Sequence, residues 1–177
     1  MPSNPKGYYP IGSRTKFALT VEQQRKLIEQ AEGKDRALLI LMLSTGMHPK
    51  VLSRKDYGFT WTPDYYSWKR PKTRRTVTGV WSRAVRQEKV TNWLVPRKLL
   101  YKDVSTYRKR LGALMPGLCP LQLRHTYFVN RARLGHNAFD IAHGAATSLR
   151  TVKPTTQSAW ARQGASATRT ERSWNGS

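Results

Sequence analysis

The chain has 177 residues, enough for one domain with tails, and 32 Lys and Arg stand against 10 Asp and Glu, a formal net charge of +22. Such an excess points to a polyanion as partner, with nucleic acid ahead of an acidic protein or an anionic membrane surface. It comes with no membrane helix, since the longest apolar run, Ala37 to Leu43, is seven residues against the roughly 20 that span a bilayer, and Cys119, the only cysteine, excludes an internal disulfide or a Cys-based zinc cluster.

Residues 1–14 carry Pro2, Pro5, Gly7, Pro10 and Gly12 and read as a flexible basic arm with no secretory leader. Thr20-Val21-Glu22-Gln23 is a capping-box pattern, and Val21, Leu27, Ile28 and Ala31 give the helix that follows one apolar side. A second helix is predicted from about Lys34 to Leu43, apolar nearly all round and therefore buried on most sides. Gly46 suits its stop, and Pro49 the start of a short helix through Leu52.

The texture changes after Asp56. Tyr57, Phe59 and Trp61 alternate, Thr62-Pro63-Asp64 makes a turn, and Tyr65, Tyr66, Trp68 and then Thr76 to Trp81 follow. This predicts three short strands near 57–81 joined by hairpins. Helices return at roughly 82–92, 103–115, 120–134 and 137–144, with Asp103 and Asn137 as caps. Residues 153–177 are rich in Ser, Thr, Arg and Gly, with Trp160 and Trp174 isolated, and read as weakly ordered. The boundaries are set at 1–14 for the arm, 15–156 for the body and 157–177 for the tail. The fold class is α+β, mostly helical with a small three-stranded antiparallel sheet.

Candidate function concentrates in 57–110, where 14 Lys or Arg are opposed only by Asp64, Glu88 and Asp103. Tyr65, Tyr66, Trp68, Trp81 and Trp93 are interleaved with these cations, a mixture that suits contact with a nucleic-acid backbone. The bland expectation holds beside it, with the aromatics packing inward and the cations facing out. Lys69, Arg70, Lys72, Arg74 and Arg75 crowd into one hairpin, where Pro71 limits slack. In the segment Leu123-Arg124-His125-Thr126-Tyr127, the Arg124 guanidinium has the planar fork that grips a phosphate by two parallel bonds.

That segment resembles the tyrosine recombinase (phage integrase) family, whose late catalytic helix reads His-x-Leu-Arg-His-Thr. Leu43-Ser44-Thr45-Gly46-Met47 resembles the Thr-Gly-Leu segment before the family's first catalytic Arg. Lys72-Thr73 sits at the place of its hairpin Lys, and Ala146-Thr147-Ser148-Leu149 resembles the approach to its nucleophilic Tyr. The likeness runs over about 16–156 and implies the fold of that family's catalytic domain. It also implies a chemistry: a Tyr oxygen attacks phosphorus, two Arg and one or two His hold the non-bridging oxygens, and a Lys protonates the departing sugar oxygen.

Measured by that pattern, the chain retains Lys72 and Arg124. His48 falls where the first Arg belongs, Leu121 where the motif His belongs, and Thr147 at the later His or Trp. The nucleophile position falls near Thr156, and no Tyr follows Tyr127. One neutral imidazole offers one donor and does not replace a guanidinium. Without the resemblance, Arg124 would simply pair with Asp140 or another carboxylate, and Lys72 would be one more solvated cation. Only about 15 residues precede the body, too few for a separate clamp domain, and the tail has no evident amphipathic helix for exchange between protomers, although Val152 and Trp160 offer weak docking groups.

The primary expectation is therefore a degenerate member of that fold that binds duplex DNA with little sequence preference, through Lys69, Arg70, Lys72, Arg74, Arg75 and Arg124, and does not cut it. One alternative is an active recombinase or nuclease with an atypical site using His48, Lys72, Arg124 and Thr156. Another is a structural nucleoprotein or RNA-binding module. No cofactor is called for, and His48, His125, His136 and His143 form no metal-ligand set. The setting expected is intracellular, in host cytoplasm or on the nucleoid, or in a virion, and homo-oligomers on DNA fit. An origin in a virus or mobile element is implied by the resemblance alone.

Overall fold

The computed structural model describes residues 18–52, 58–70, 76–87, 89, 104–157 and 160. The predicted arm at 1–14, most of the predicted tail, and Lys72, Arg74, Arg75 and Trp93 lie outside them.

Helix α1 (Val21–Gln30) starts as its sequence dictates. The Thr20 side chain accepts from Gln23 N at 3.1 Å, and the Gln23 side chain accepts from Thr20 N at 2.9 Å. Leu27 is its buried contact, while Val21, expected on the apolar side, is exposed. Helix α2 (Gly33–Thr45) is buried from Ala37 through Met42 and ends on Gly46 in the left-handed conformation, with φ +60°. A 3-10 turn (Pro49–Leu52) follows. Strands β1 (Thr60–Trp61), β2 (Tyr65–Lys69) and β3 (Thr76–Val80) form an antiparallel meander in the order β1-β2-β3. The register pairs Tyr66 with Gly79 and Trp68 with Val77, so these four face one side. Tyr66, Trp68 and Val77 are buried there, and Lys69 projects from the opposite, exposed face.

Helices α3 (Arg83–Gln87), α4 (Val104–Leu114), α5 (Pro120–Arg133) and α6 (Ala138–Gly144) complete the ordered set, and residues 149–157, named α7 below, form a last helix. Pro120 opens α5 at a position where its missing N–H costs nothing. Every residue of α5 from Gln122 to Val129 is buried, which makes it the central helix, packed against α2, α4 and α6. The Thr126 hydroxyl ties it to the start of the body by accepting from Leu19 N at 3.0 Å.

Helix α7 corrects the reading of 153–177 as weakly ordered in its first five residues. Its buried side contains Val152, Thr155 and Thr156. The Thr155 hydroxyl donates to Thr151 O at 3.2 Å, and the Thr156 hydroxyl donates to Val152 O at 3.0 Å. Back-bonded in this way, a threonine presents its methyl group outward and serves as a core residue. Val152 is buried within its own chain, and Trp160 donates its indole N–H to His136 O at 3.3 Å, so both described docking groups pack in cis.

The join between α2 and α5 is tight. A Cβ added to Gly46 would lie 2.2 Å from a ring carbon of Tyr127. With the positive φ, the site demands glycine twice over. Gly46→Ala is expected to cost more than about 2 kcal/mol of unfolding free energy, measured by urea denaturation; a loss below the error of the titration would contradict this packing.

Candidate nucleic-acid interface

Arg124 stands in the first half of α5 and is only 6% exposed. Its Nη1 donates to Gly46 O at 2.8 Å, and its Nη2 donates to Ala145 O at 3.0 Å. The guanidinium carbon lies 5.3 Å from the centre of the Phe128 ring. Asp140, the carboxylate partner considered from sequence, instead accepts from the Asn137 side chain at 2.8 Å. Among the described residues Arg124 therefore pairs with two carbonyls and an aromatic face, and with no carboxylate.

Both carbonyls come from helix ends. Gly46 terminates α2, and Ala145 caps α6 just before Ala146, which holds a left-handed φ of 46°. Carbonyls at helix C-termini carry the negative end of the helix dipole and favour a cation. Burial pushes the Arg124 pKa down to about 10, the charge of Arg70 pushes in the same direction, and nearby Tyr127 opposes them. The guanidinium remains charged at neutral pH. Arg70, half-buried at the end of β2, thus lies within electrostatic reach of Arg124.

The other substituted positions are drawn toward the same place to different degrees. His48 follows Gly46 by two residues; its Nδ1 accepts from Lys50 N at 3.2 Å, which leaves the donor proton of the neutral ring on Nε2. Thr147 follows Ala145 by two residues and is fixed by its own N–H, which donates to Ala142 O at 2.8 Å. Leu121, one turn before Arg124, is 49% exposed and offers no polar atom. Thr156 is 0% exposed, with its hydroxyl committed within α7. The structure thus brings Arg124 and the turns bearing His48 and Thr147 together, and buries the Thr156 side chain.

Sequence reasoning named His125 within a motif and among four histidines that form no metal-ligand set. In the structure it is buried, its ring edge meets Phe128 at 5.7 Å between centroids, and its Nδ1 lies 3.3 Å from the Thr155 hydroxyl of α7. The position of this imidazole, one residue after Arg124 on a buried helix, was the signal that it faces a neighbouring element. Of the interleaved aromatics, Tyr66, Trp68 and Trp81 are buried and Tyr65 is exposed. Tyr66 stacks on Trp81 at 4.5 Å. Its ring lies so close to Gly79 that an added Cβ there would sit 2.5 Å away.

Burial raises the Tyr66 pKa from 10.0 to about 12, with Tyr127 adding to the shift and Arg131 opposing it. A pKa raised on folding contributes stability that is full below the unfolded value and is lost as pH climbs through the folded one. The melting temperature should therefore fall as pH rises from 10 toward 12, and Tyr66→Phe should make that fall shallower in a calorimetric series. An identical pH profile for wild type and variant would contradict the shift.

No protein-family model matches the chain, and no curated protein matches it in sequence. Solved structures do. The crystal structure of XerA recombinase aligns with a TM-score of 0.68 over 89% of this chain and 66% of that one, at 16% identity. A lambda integrase dimer bound to a COC' core site gives 0.60 over 79% of this chain and 47% of that one, at 13% identity. The XerH site-specific recombinase in a post-cleavage complex with palindromic difH substrate gives 0.58 over 88% of this chain and 54% of that one, at 20% identity. The chain thus spans from 47% to 66% of the length of these proteins. Its mostly helical body with a three-stranded antiparallel sheet has the fold of a tyrosine recombinase catalytic domain.

Proposed function

We propose that the chain binds duplex DNA through its phosphates, over a seat centred on Arg124, and leaves the strands unbroken. The observation that carries this reading is the charge balance at Arg124. A buried cation is costly unless an opposite charge compensates it. Here a guanidinium is held by neutral carbonyls with a second cation, Arg70, within electrostatic reach. An anion arriving from solvent relieves that repulsion, and a DNA phosphate is the anion that the surrounding basic surface would collect. Lys69 adds a charge from the exposed face of β2. Lys72, Arg74 and Arg75 extend the basic cluster in sequence and are proposed as further phosphate contacts. Structural neighbours of the same fold were solved on DNA substrates, which supports duplex DNA as the partner.

The absence of cleavage is proposed from the side chains at the remaining positions. Removing one donor to a developing oxyanion commonly slows a reaction about 100- to 1000-fold. Leu121 supplies no side-chain donor, and His48 supplies an imidazole in place of a guanidinium. An alcohol needs a base to become a nucleophile. The Thr156 hydroxyl is fully buried, and its proton is directed at the carbonyl of Val152. No Tyr follows Tyr127 in this sequence.

The test is equilibrium binding to a short duplex across a salt series. With about five phosphates neutralised, log affinity should fall against log salt with a slope near −4.5 or steeper. The joint variant Lys69→Ala, Arg70→Ala, Arg74→Ala, Arg75→Ala should flatten that slope. Failure of wild type to bind at about 50 mM salt, where phosphate contacts are strong, would end the DNA reading. Tighter binding to structured RNA in the same series would favour an RNA-binding module.

A further inference from the structure

Resting on that reading, we propose that His125 is a positioning residue of the seat, which donates its Nδ1–H to Thr155 and so fixes the segment that carries Thr147. The Thr155 hydroxyl has one proton, and that proton is donated to Thr151 O at 3.2 Å. Toward His125 the same oxygen is therefore an acceptor, and Nδ1, 3.3 Å away, is the donor. The bond fixes the tautomer, with a proton on Nδ1. At His48 the assignment is the reverse, because Nδ1 there accepts from Lys50 N and the neutral ring keeps its proton on Nε2.

The place of this bond gives it a role. Arg124 and His125 are consecutive on α5. Arg124 holds Ala145 O at 3.0 Å, at the turn before α7, and His125 holds Thr155, within α7. Two fixed points set the direction of the segment between them, where one would leave it free to pivot. Thr147 lies in that segment, two residues past the first point. Arg124, His125 and Thr155 are all buried, and Phe128 meets both the guanidinium, at 5.3 Å, and the imidazole, at 5.7 Å. Buried in this way, His125 and Thr155 act on a bound phosphate through the turn they hold. A binding site is precise when a supporting layer of packing and hydrogen bonds locks the groups that touch the ligand.

The test removes the acceptor and keeps the shape. Thr155→Val should weaken duplex DNA binding about tenfold at every salt concentration, the effect of one buried hydrogen bond. The salt slope should stay unchanged, because no phosphate contact is removed. Thr155→Ser, which restores the hydroxyl and lacks the methyl group, should recover most of the affinity while melting below wild type. Affinity measured well below all three melting temperatures then follows the hydroxyl and not the stability, which a purely structural role would not produce. The imidazole nitrogen signals of wild type in a 15N NMR spectrum should place a proton on Nδ1 of His125, a readout that needs no variant to fold. Wild-type affinity in Thr155→Val, equal weakness in Thr155→Ser, or a His125 Nδ1 without a proton would overturn the assignment. Absence of wild-type binding would instead remove the DNA reading beneath it and leave the tautomer signal in place.

Discussion

The guanidinium of Arg124, held between Gly46 O and Ala145 O, joins parts of the chain that share no local sequence. One bond reaches 78 residues back and the other 21 residues forward. Through them the end of α2, the middle of α5 and the turn between α6 and α7 become one structure. Hydrogen bonds to a charged donor contribute about 1.5–3 kcal/mol each, and losing a buried donor leaves its acceptors unsatisfied. Tyr127 completes the join by packing its ring against Gly46, where even a methyl group would collide. The same arrangement holds a guanidinium beneath the surface on carbonyls and a ring, with no carboxylate partner among the described residues.

A chain with a net charge of +22 must bury apolar surface while its cations stay in water. The small sheet does this by alternation. Tyr66, Trp68 and Val77 face the core, and Lys69 leaves from the other face. Arg110, on α4, is drawn into a different role by Asp35 of α2, which accepts from it at 2.8 Å. Arg110 thus acts as a strut through a carboxylate, as Arg124 does through carbonyls.

Much of this was legible in the residues. The capping box at Thr20 and Gln23, the apolar run of α2 and the aromatic alternation of the strands each have a local physical cause, and each element formed where that cause placed it. Arg124 was singled out from the sequence as a phosphate contact, and the structure shows it buried at the join of three elements. Its partners were not legible, because a backbone carbonyl has no side-chain signature and Ala146 gives no hint of a left-handed turn. Helix α7 escaped notice for a related reason. Thr155 and Thr156 read as polar, and Pro154 reads as a breaker. Once each threonine hydroxyl is bonded to its own helix, the side chains complete an apolar stripe with Val152. That internal bonding leaves the Thr156 hydroxyl buried and donating to the Val152 carbonyl, an arrangement its place in the sequence did not reveal.

The central claim is a phosphate seat that binds and does not react. It is tested most directly by incubating the chain with an end-labelled duplex nicked on one strand, then resolving the mixture under native and denaturing conditions. The account predicts a retarded native complex that dissociates on denaturation into free protein and strands of their original length. A labelled covalent adduct, or a shortened or rejoined strand that depends on the protein, would contradict it.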